Sequence, residues 1–435
     1  MKGEDSLLVS AVARFFALGG AVGRLASALV FQQVLSPARS AETRQEKLLA
    51  TLVRHTGEIT GLLGRLKGGA MKIGQMLSLQ EGLLPPEVTA ILSALQRDAP
   101  SLPFSRLRDR FEAELPEHRL LFESVAEQPL AAASIGQVHR AVLKDGREVV
   151  IKVQYPSMES IVRSDLKNLR QLFRIFGGFI AVDLDPIWDE VGERLNEELD
   201  YEREGRQQQA FRERFSDEPR IHVPDVIFEA STRSILTTTY EPGESLSQKA
   251  RADQNERDAV GALLFEFLLE QIFVHQILHA DPHPGNFAFR PDGTLILYDF
   301  GSIKQVPDFL LSGYRKLLRA GMENAPEQIP GILKTMRVHH QDGTPIKLEI
   351  VRDYLSAFSP IFGSRYRFGA DDDLLEKAIT LGRRYWLEAL GVVFPPDVIF
   401  IDRTVAGTLG NLRSLRAESD WRRLLEKHAA PAGVS

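Results

Sequence analysis

Between residues 276 and 301 the chain accepts very few backbone paths. An apolar stretch ends at Leu278, the segment His279-Ala-Asp281-Pro-His-Pro-Gly-Asn286 follows, and Leu295-Ile-Leu-Tyr then leads into Asp299-Phe300-Gly301. Pro282 and Pro284 fix their own φ angles and remove two backbone donors, so no helix runs through the segment. The pattern predicts a stiff loop, a hairpin and a second turn, with Asp281, Asn286 and Asp299 carried on neighbouring stretches of backbone. His275, His279 and His283 are spaced like metal ligands along one helix face. The prolines break that face, and structural roles for the histidines are the expectation.

The flanking regions differ in character. Upstream, Gln137–Val142 and Val149–Gln154 are β-type runs joined across Asp145-Gly146, a strong hairpin signal. Helices are expected over Met158–Phe176 and Pro186–Phe215, and a β-branched strand over Ser234–Tyr240, ended by Pro242-Gly243. Downstream, Ala252–His275 is helical with a broad apolar face, and so is most of 305–430. Residues 1 to about 115 also read as helical, with a periodic stretch over Thr43–Leu66 and a shorter helix over Glu87–Gln96 after Pro85-Pro86. The expected fold class is α+β. It comprises a helical N-terminal extension over 1–115, a small β-rich N-lobe over 116–243 and a helical C-lobe over 244–435.

Composition narrows the chemistry. The 435 residues include no cysteine, which excludes disulfides, thiolate nucleophiles and zinc–thiolate sites. A formal charge of -6 gives no general electrostatic case for nucleic-acid binding, and none is expected. The apolar stretch Ser6–Leu35 is preceded by Glu4 and Asp5 and interrupted by Arg14 and Arg24, so neither a signal peptide nor a spanning helix fits. It reads as an amphipathic helix that packs on its own protein or, in the alternative, lies on a membrane or lipid surface. Leu390–Ile401 is broken by Pro395, Pro396 and Asp397, so no spanning segment is expected there either. The localisation expected is cytoplasmic, with peripheral membrane contact as the alternative.

The residue types in the loop suit phosphoryl transfer, which asks a protein mainly to position phosphates, to hold the metal that neutralises them and to orient the acceptor. A carboxylate with an amide five residues on, Asp281 and Asn286, is the spacing of a kinase catalytic loop, in which the first orients the acceptor and the second binds magnesium. Asp299, opening Asp-Phe-Gly after an apolar strand, supplies a further oxygen ligand of the kind magnesium prefers. Such a site requires a strand lysine for the phosphates, and Lys152 lies in the right strand between Ile151 and Val153. A helix carboxylate should hold that lysine. Glu197, Glu198, Asp200, Glu202 and Glu204 are all candidates, and spacing does not choose among them. Where a glycine-rich phosphate loop would stand, the chain has Ala131-Ala132-Ala133-Ser134-Ile135-Gly136, whose Cβ atoms limit close backbone approach. Thr237–Tyr240 falls where adenine would meet backbone groups, at Thr239 and Tyr240. The triplet Ala325-Pro326-Glu327 resembles the close of an activation loop. An amphipathic helix expected over Phe309–Arg319 leaves little room for such a loop, and Asn324 reads as the N-cap of the next helix.

Further motifs resemble one family. Gly69-Ala-Met-Lys72-Ile-Gly74-Gln75-Met-Leu-Ser78-Leu-Gln80 is similar to the Lys-x-Gly-Gln signature of the UbiB/AarF-type atypical kinases, the coenzyme Q-associated kinases. Leu84-Pro-Pro-Glu87 and Leu95-Gln-Arg-Asp98-Ala-Pro100 follow it. Pro129-Leu-Ala131-Ala132-Ala133-Ser134 matches that family's alanine-rich loop, and Glu198-Leu-Asp200-Tyr-Glu-Arg-Glu204 its Glu-x-Asp element. The resemblance runs from about residue 60 to the C-terminus. It implies a protein-kinase-like bilobal fold that uses ATP and Mg2+, with Glu204 as partner of Lys152. It also implies that Glu198 and Asp200 face Lys72 across the nucleotide cleft, and that the Lys72–Gln75 helix covers the usual protein-substrate position.

The function implied is an ATP- and magnesium-dependent atypical kinase or ATPase that supports ubiquinone or related isoprenoid-lipid metabolism, with proteins of quinone biosynthesis as partners. Two other readings fit the same residues: a small-molecule kinase, and a nucleotide-binding scaffold without turnover.

Overall fold

The computed structural model describes residues 102–133, 135–177, 192–193, 195–363, 365–370, 373–389 and 391–429. The expected leader helices, with Lys72, Gly74 and Gln75, lie outside the described residues, as does Ser134. Two compact units divide the chain: one takes the residues up to Arg203 together with Ile227–Thr238, the other Glu204–Val226 together with Thr239 onward.

In the first unit, helix α1 (Phe104–Glu114) precedes strands β1 (Phe122–Ala132), β2 (Gly136–Leu143) and β3 (Glu148–Gln154); helix α2 (Met158–Gly177) follows. Helix α3 (Tyr201–Arg214) contains the division between the units, and strand β4 (Ile235–Thr239) returns to the first. The sheet order is β1-β2-β3-β4. The hairpin expected at Asp145-Gly146 forms, with Gly146 at φ +88° and β2 and β3 in unbroken register from Gly136↔Gln154 to Val142↔Glu148. Val149, Ile151 and Val153 are buried while Glu148, Val150 and Lys152 alternate with them, which is the period of a strand with one face on a core. A Cβ on Gly136 would sit 2.4 Å from the Val153 carbonyl oxygen, so this glycine lets β2 start tightly against β3.

Two expectations need correction. Pro186–Phe215 is not one helix where it is described. A turn at Leu199 interrupts it, and Asp200 opens α3 instead, its Oδ1 accepting the Arg203 N–H at 2.9 Å in the manner of an N-cap. Asn324 is not an N-cap either. It adopts φ +50° just past the helix Asp308–Met322; its N–H donates to the Gly321 carbonyl, and the Ala325 N–H donates to the Ala320 carbonyl. That pair of bonds is a Schellman ending, and asparagine tolerates its left-handed residue better than most side chains.

The second unit is built around helix α4 (Gln254–Phe273), buried on nearly all sides from Val260 to Phe273. Its start is capped by Asp253, which accepts from the Glu256 N–H at 3.0 Å. Short strands β5 (Ile277–His279), β6 (Phe287–Phe289), β7 (Leu295–Leu297) and β8 (Ile303–Gln305) follow. β5 pairs with β8, and β6 pairs with β7. Helices α5 (Asp308–Met322), α6 (Pro396–Leu415) and α7 (Trp421–Ala429) share one apolar core with α4. Gly261 of α4 allows close packing, since a Cβ there would come within 2.3 Å of the Ala417 Cβ. Among the described residues no helix is long and apolar enough to cross a membrane.

Candidate active site

In the second unit the loop between β5 and β6 carries Asp281 and Asn286. Each end is tied down by neighbours. The His279 N–H donates to Gln271 Oε1 of α4 at 2.6 Å, and its Nε2 bonds the Asp299 carbonyl. Ala280 N–H donates to the Ser302 carbonyl at 2.8 Å, extending the β5–β8 ladder to the start of the loop. Pro284–Asn286 forms a turn of 3-10 helix. His283 caps it, its Nδ1 accepting the Gly285 N–H at 3.1 Å. His279 and His283 thus serve the backbone, while the His275 ring packs against Phe215 with centroids 4.1 Å apart and planes tilted by 43°. Burial holds the His275 ring below the usual imidazole range.

The donors on this frame suit a hard cation. Asn286 Nδ2 donates to the Asp281 carbonyl at 3.3 Å, which ties the two ends of the loop motif together. Asn286 lies opposite Tyr298, whose N–H donates to the Asn286 carbonyl at 2.9 Å, and Asp299 is the next residue. The Asp299 Oδ1 accepts the Gly301 N–H at 3.1 Å, which fixes the carboxylate on the turn. An aspartate and an asparagine amide are the hard oxygen donors that magnesium takes together with phosphate and water. Phe300 is fully buried, 5.5 Å from Phe211 and 5.5 Å from His279 by ring centroid. The turn that presents Asp299 is therefore anchored through its neighbouring side chain.

At the end of β4, Thr239 and Tyr240 begin this unit's second stretch. Thr239 donates its N–H to the Asp225 carbonyl at 2.9 Å, and its Oγ1 accepts the Asp225 N–H at 2.9 Å. An adenine contact through the Thr239 amide is therefore closed. Glu241 follows, paired with Arg290 at 2.5 Å and His222 at 3.1 Å, and Tyr298 donates its hydroxyl to the Glu241 carbonyl at 2.8 Å. Burial, reinforced by Tyr240 and Glu241, pushes the Tyr298 hydroxyl up to about 12, so it remains a donor.

In the first unit, Lys152 projects from β3 with its Nζ 4.9 Å from the centroid of the Tyr201 ring, a cation–π contact. Tyr201 is buried, and its N–H donates to the Arg233 carbonyl at 2.9 Å. The segment before it is fixed to the sheet by Gln154 Nε2, which donates to the Leu199 carbonyl at 2.8 Å. Glu198 is half-buried; Asp200 has one oxygen engaged as the cap of α3; Glu197 pairs with Arg203 at 2.8 Å. Glu204 is buried in the first turns of α3, in the other unit. Ala131 and Ala132 are the end of β1, paired with Val138 and Gln137, and the Ala133 N–H donates to the Gly136 carbonyl at 2.9 Å. The alanine segment is thus the tip of a hairpin.

Two features escaped the sequence reading. Gln137 and His139 are fully buried in β2: Gln137 Oε1 accepts the Leu102 N–H at 2.9 Å, its Nε2 donates to the Leu102 carbonyl and to His139 Nε2, each at 2.9 Å, and His139 Nδ1 meets the Ala126 carbonyl at 2.8 Å. Burial lowers the His139 ring, consistent with the neutral tautomer those bonds require. Helix α6 also reaches the loop: Arg403 Nη2 lies 3.5 Å from Asp281 Oδ1, and Asn411 Nδ2 donates to the Pro282 carbonyl at 2.9 Å. Nothing in the spacing of residues more than 100 positions apart signals such contacts.

Comparison with known proteins decides the family. The sequence model of the ABC1 atypical kinase-like domain matches residues 94–330, more than half of the chain. The protein belongs to this ABC1 family. The resemblance to UbiB-type, coenzyme Q-associated atypical kinases holds. The Caenorhabditis elegans mitochondrial atypical kinase coq-8 is 33% identical over 279 residues, covering 62% of this chain and 37% of that protein. The Saccharomyces cerevisiae mitochondrial atypical kinase COQ8 is 34% identical over 264 residues, covering 60% of this chain and 53% of the yeast protein. The matched part thus spans about a third to a half of these relatives' length. A solved structure of Mycobacterium tuberculosis Rv3197, in complex with erythromycin, is 28% identical with a TM-score of 0.65, covering 90% of this chain and 100% of that one. The fold of this ABC1 member is α+β and kinase-like.

Proposed function

We propose that this ABC1 protein uses ATP and Mg2+ in phosphoryl transfer, as an atypical kinase or ATPase that serves ubiquinone or related isoprenoid-lipid metabolism. The observation that carries the reading is the bonded frame of the second unit, in which His279 holds the Asp299 carbonyl and Asn286 holds the Asp281 carbonyl. In this reading Asp299 and Asn286 hold the magnesium, which neutralises phosphate charge. Asp281 orients the acceptor, water or a small molecule, and draws its proton away. Lys152 positions the phosphates, with Tyr201 supporting its ammonium from below and Glu204 retained as the carboxylate assigned to it. Ala131–Ser134, with Tyr240, complete the nucleotide contacts, and Thr239 contributes through groups other than its N–H. The Lys72, Gly74 and Gln75 motif, with Glu198 and Asp200, stays in the proposal as the family's distinguishing element. Peripheral contact with lipid through the N-terminal residues, and partner proteins of quinone biosynthesis, belong to the same proposal.

The test is phosphate release from ATP with magnesium, with and without anionic lipid vesicles, for wild type and Asp299→Asn. Loss of a charged ligand from the metal should lower turnover by about 100-fold or more; activity unchanged in the variant would overturn the assignment. Product analysis with added acceptors separates kinase from ATPase. A macrolide is a natural first addition, because the mycobacterial neighbour was solved in complex with erythromycin. Tight nucleotide binding without release under any condition would favour the scaffold reading.

A further inference from the structure

Helix α6 places Arg403, Gly407 and Asn411 at successive turns of one face, the i, i+4, i+8 positions. All three meet the catalytic loop. Arg403 pairs with Asp281 at 3.5 Å, and Asn411 donates to the Pro282 carbonyl at 2.9 Å. Between them, Gly407 has no side chain where a Cβ would fall 2.3 Å from Pro282 Cγ. The proline ring therefore rests directly on the helix backbone. Away from that face α6 is fixed: Leu409 and Leu412 are buried in the core shared with α4. Three different contacts, an ion pair, a hydrogen bond and a steric fit, thus converge on two consecutive loop residues from one rigid element.

The loop cannot supply this support from within. Pro282 and Pro284 lack N–H groups, and the His283 ring is turned inward, its Nδ1 accepting the Gly285 N–H. A cation for the carboxylate thus comes from α6. At 3.5 Å the pair is looser than a short charge-assisted bond, so Asp281 is oriented while its carboxylate still has room for an acceptor. The helix lies beyond the residues 94–330 that define the family domain.

We propose that Arg403 is a positioning residue for Asp281, and that α6 is the splint that sets the catalytic loop, so that the working unit of this protein extends through residue 415. The part concerning turnover rests on the function proposed above; the part concerning the loop does not.

The experiment uses the full chain with Arg403→Ala, Arg403→Lys and Asn411→Ala. Two readouts are taken: amide hydrogen exchange at His283, Gly285 and Asn286, and kcat against KM for ATP with magnesium. Misplacing a reacting group by about 1 Å costs on the order of 100-fold, so Arg403→Ala should lower kcat by about 10- to 100-fold with KM little changed. Exchange at the loop amides should speed by about 10-fold or more, as expected when a local opening becomes easier. Arg403→Lys should recover part of both effects, since it restores charge without the planar fork. Asn411→Ala should give the exchange effect more mildly and serves if Arg403→Ala fails to fold. Unchanged exchange in all three variants overturns the proposal whatever happens to kcat. Faster exchange with kcat unchanged, in a wild type that turns over, overturns it too. Should wild type release no phosphate, the functional reading fails, and exchange alone decides the splint.

Discussion

The two units solve the same problem, holding polar groups still, in opposite ways. In the first, Lys152 stands on a hairpin whose register is set by a two-residue turn signal, and its supports join its own strand to the start of α3: Gln154 on the Leu199 carbonyl and Tyr201 under the ammonium. In the second, Asp281, Asn286 and Asp299 stand on strands of three residues that could not persist alone. They are held by α4 through Gln271, by the buried Phe300 and by α6 through Arg403 and Asn411. A site on local scaffolding is tuned by local sequence. One on short strands depends on distant helices, and its faults will come from far away.

That contrast can be broken by mutation. The largest stability effect should fall in the second unit: Phe300→Ala empties a fully buried position between Phe211 and His279, at a cost of about 3–5 kcal/mol in chemical denaturation. A smaller loss would mean that the Asp299 turn is less dependent on the core than its packing indicates.

Next is Glu270 of α4. Burial, aided by Glu218 and Glu266, raises its carboxyl from 4.5 to about 7. The folded protein then resists an ionisation that the unfolded chain undergoes freely, so stability is highest below pH 4.5 on this account and falls as pH rises through about 7. Glu270→Gln should remove that fall, a gain of up to about 3 kcal/mol at pH 8 that vanishes towards pH 4. His428 of α7 acts in the opposite direction. Burial lowers its ring to about 4, so its contribution is present above pH 6.5 and is lost as pH falls through about 4. A pH scan of melting for wild type and Glu270→Gln reads both; a variant curve parallel to wild type would contradict the assignment.

In the first unit, Gly136→Ala drives a Cβ against the Val153 carbonyl. Forced shifts of that kind cost about 1–3 kcal/mol, and the loss should appear with nucleotide affinity weakened through the hairpin tip. Tolerance of the change would show that β2 has slack there. Smallest is Asn324→Ser. Serine would serve an N-cap equally well, but it is disfavoured at φ +50°, so the Schellman ending predicts a loss of about 1 kcal/mol and an N-cap predicts none.

What the sequence made legible follows the same division. The β2–β3 hairpin and the α2 and α4 helices were readable because their signals are contained within the element: Asp145-Gly146, apolar alternation, helical periodicity. The placement of Asp281, Asn286 and Asp299 on a stiff loop and a following turn was readable because Pro282, Pro284 and the apolar run Leu295–Leu297 fix the backbone locally. Asn324 misled because asparagine suits both an N-cap and a left-handed helix ending, and only the preceding helix's carbonyls distinguish them. The bond from the Thr239 N–H to the Asp225 carbonyl was not readable, because Asp225 belongs to a different turn of chain. Arg403, Gly407 and Asn411 were invisible for a plainer reason: on α6 they read as ordinary positions of a long helix, and their meaning lies in contact with Pro282 and Asp281.

The central claim is that the second unit's loop performs the chemistry and the first unit's lysine contributes binding. Asp281→Asn tests it most directly, by ATP affinity in the presence of magnesium and by single-turnover phosphate release on the same preparation. The account predicts affinity within a few-fold of wild type and release slower by about 100-fold or more, the range expected for loss of a general base. Release at the wild-type rate, with nucleotide bound as before, would contradict it.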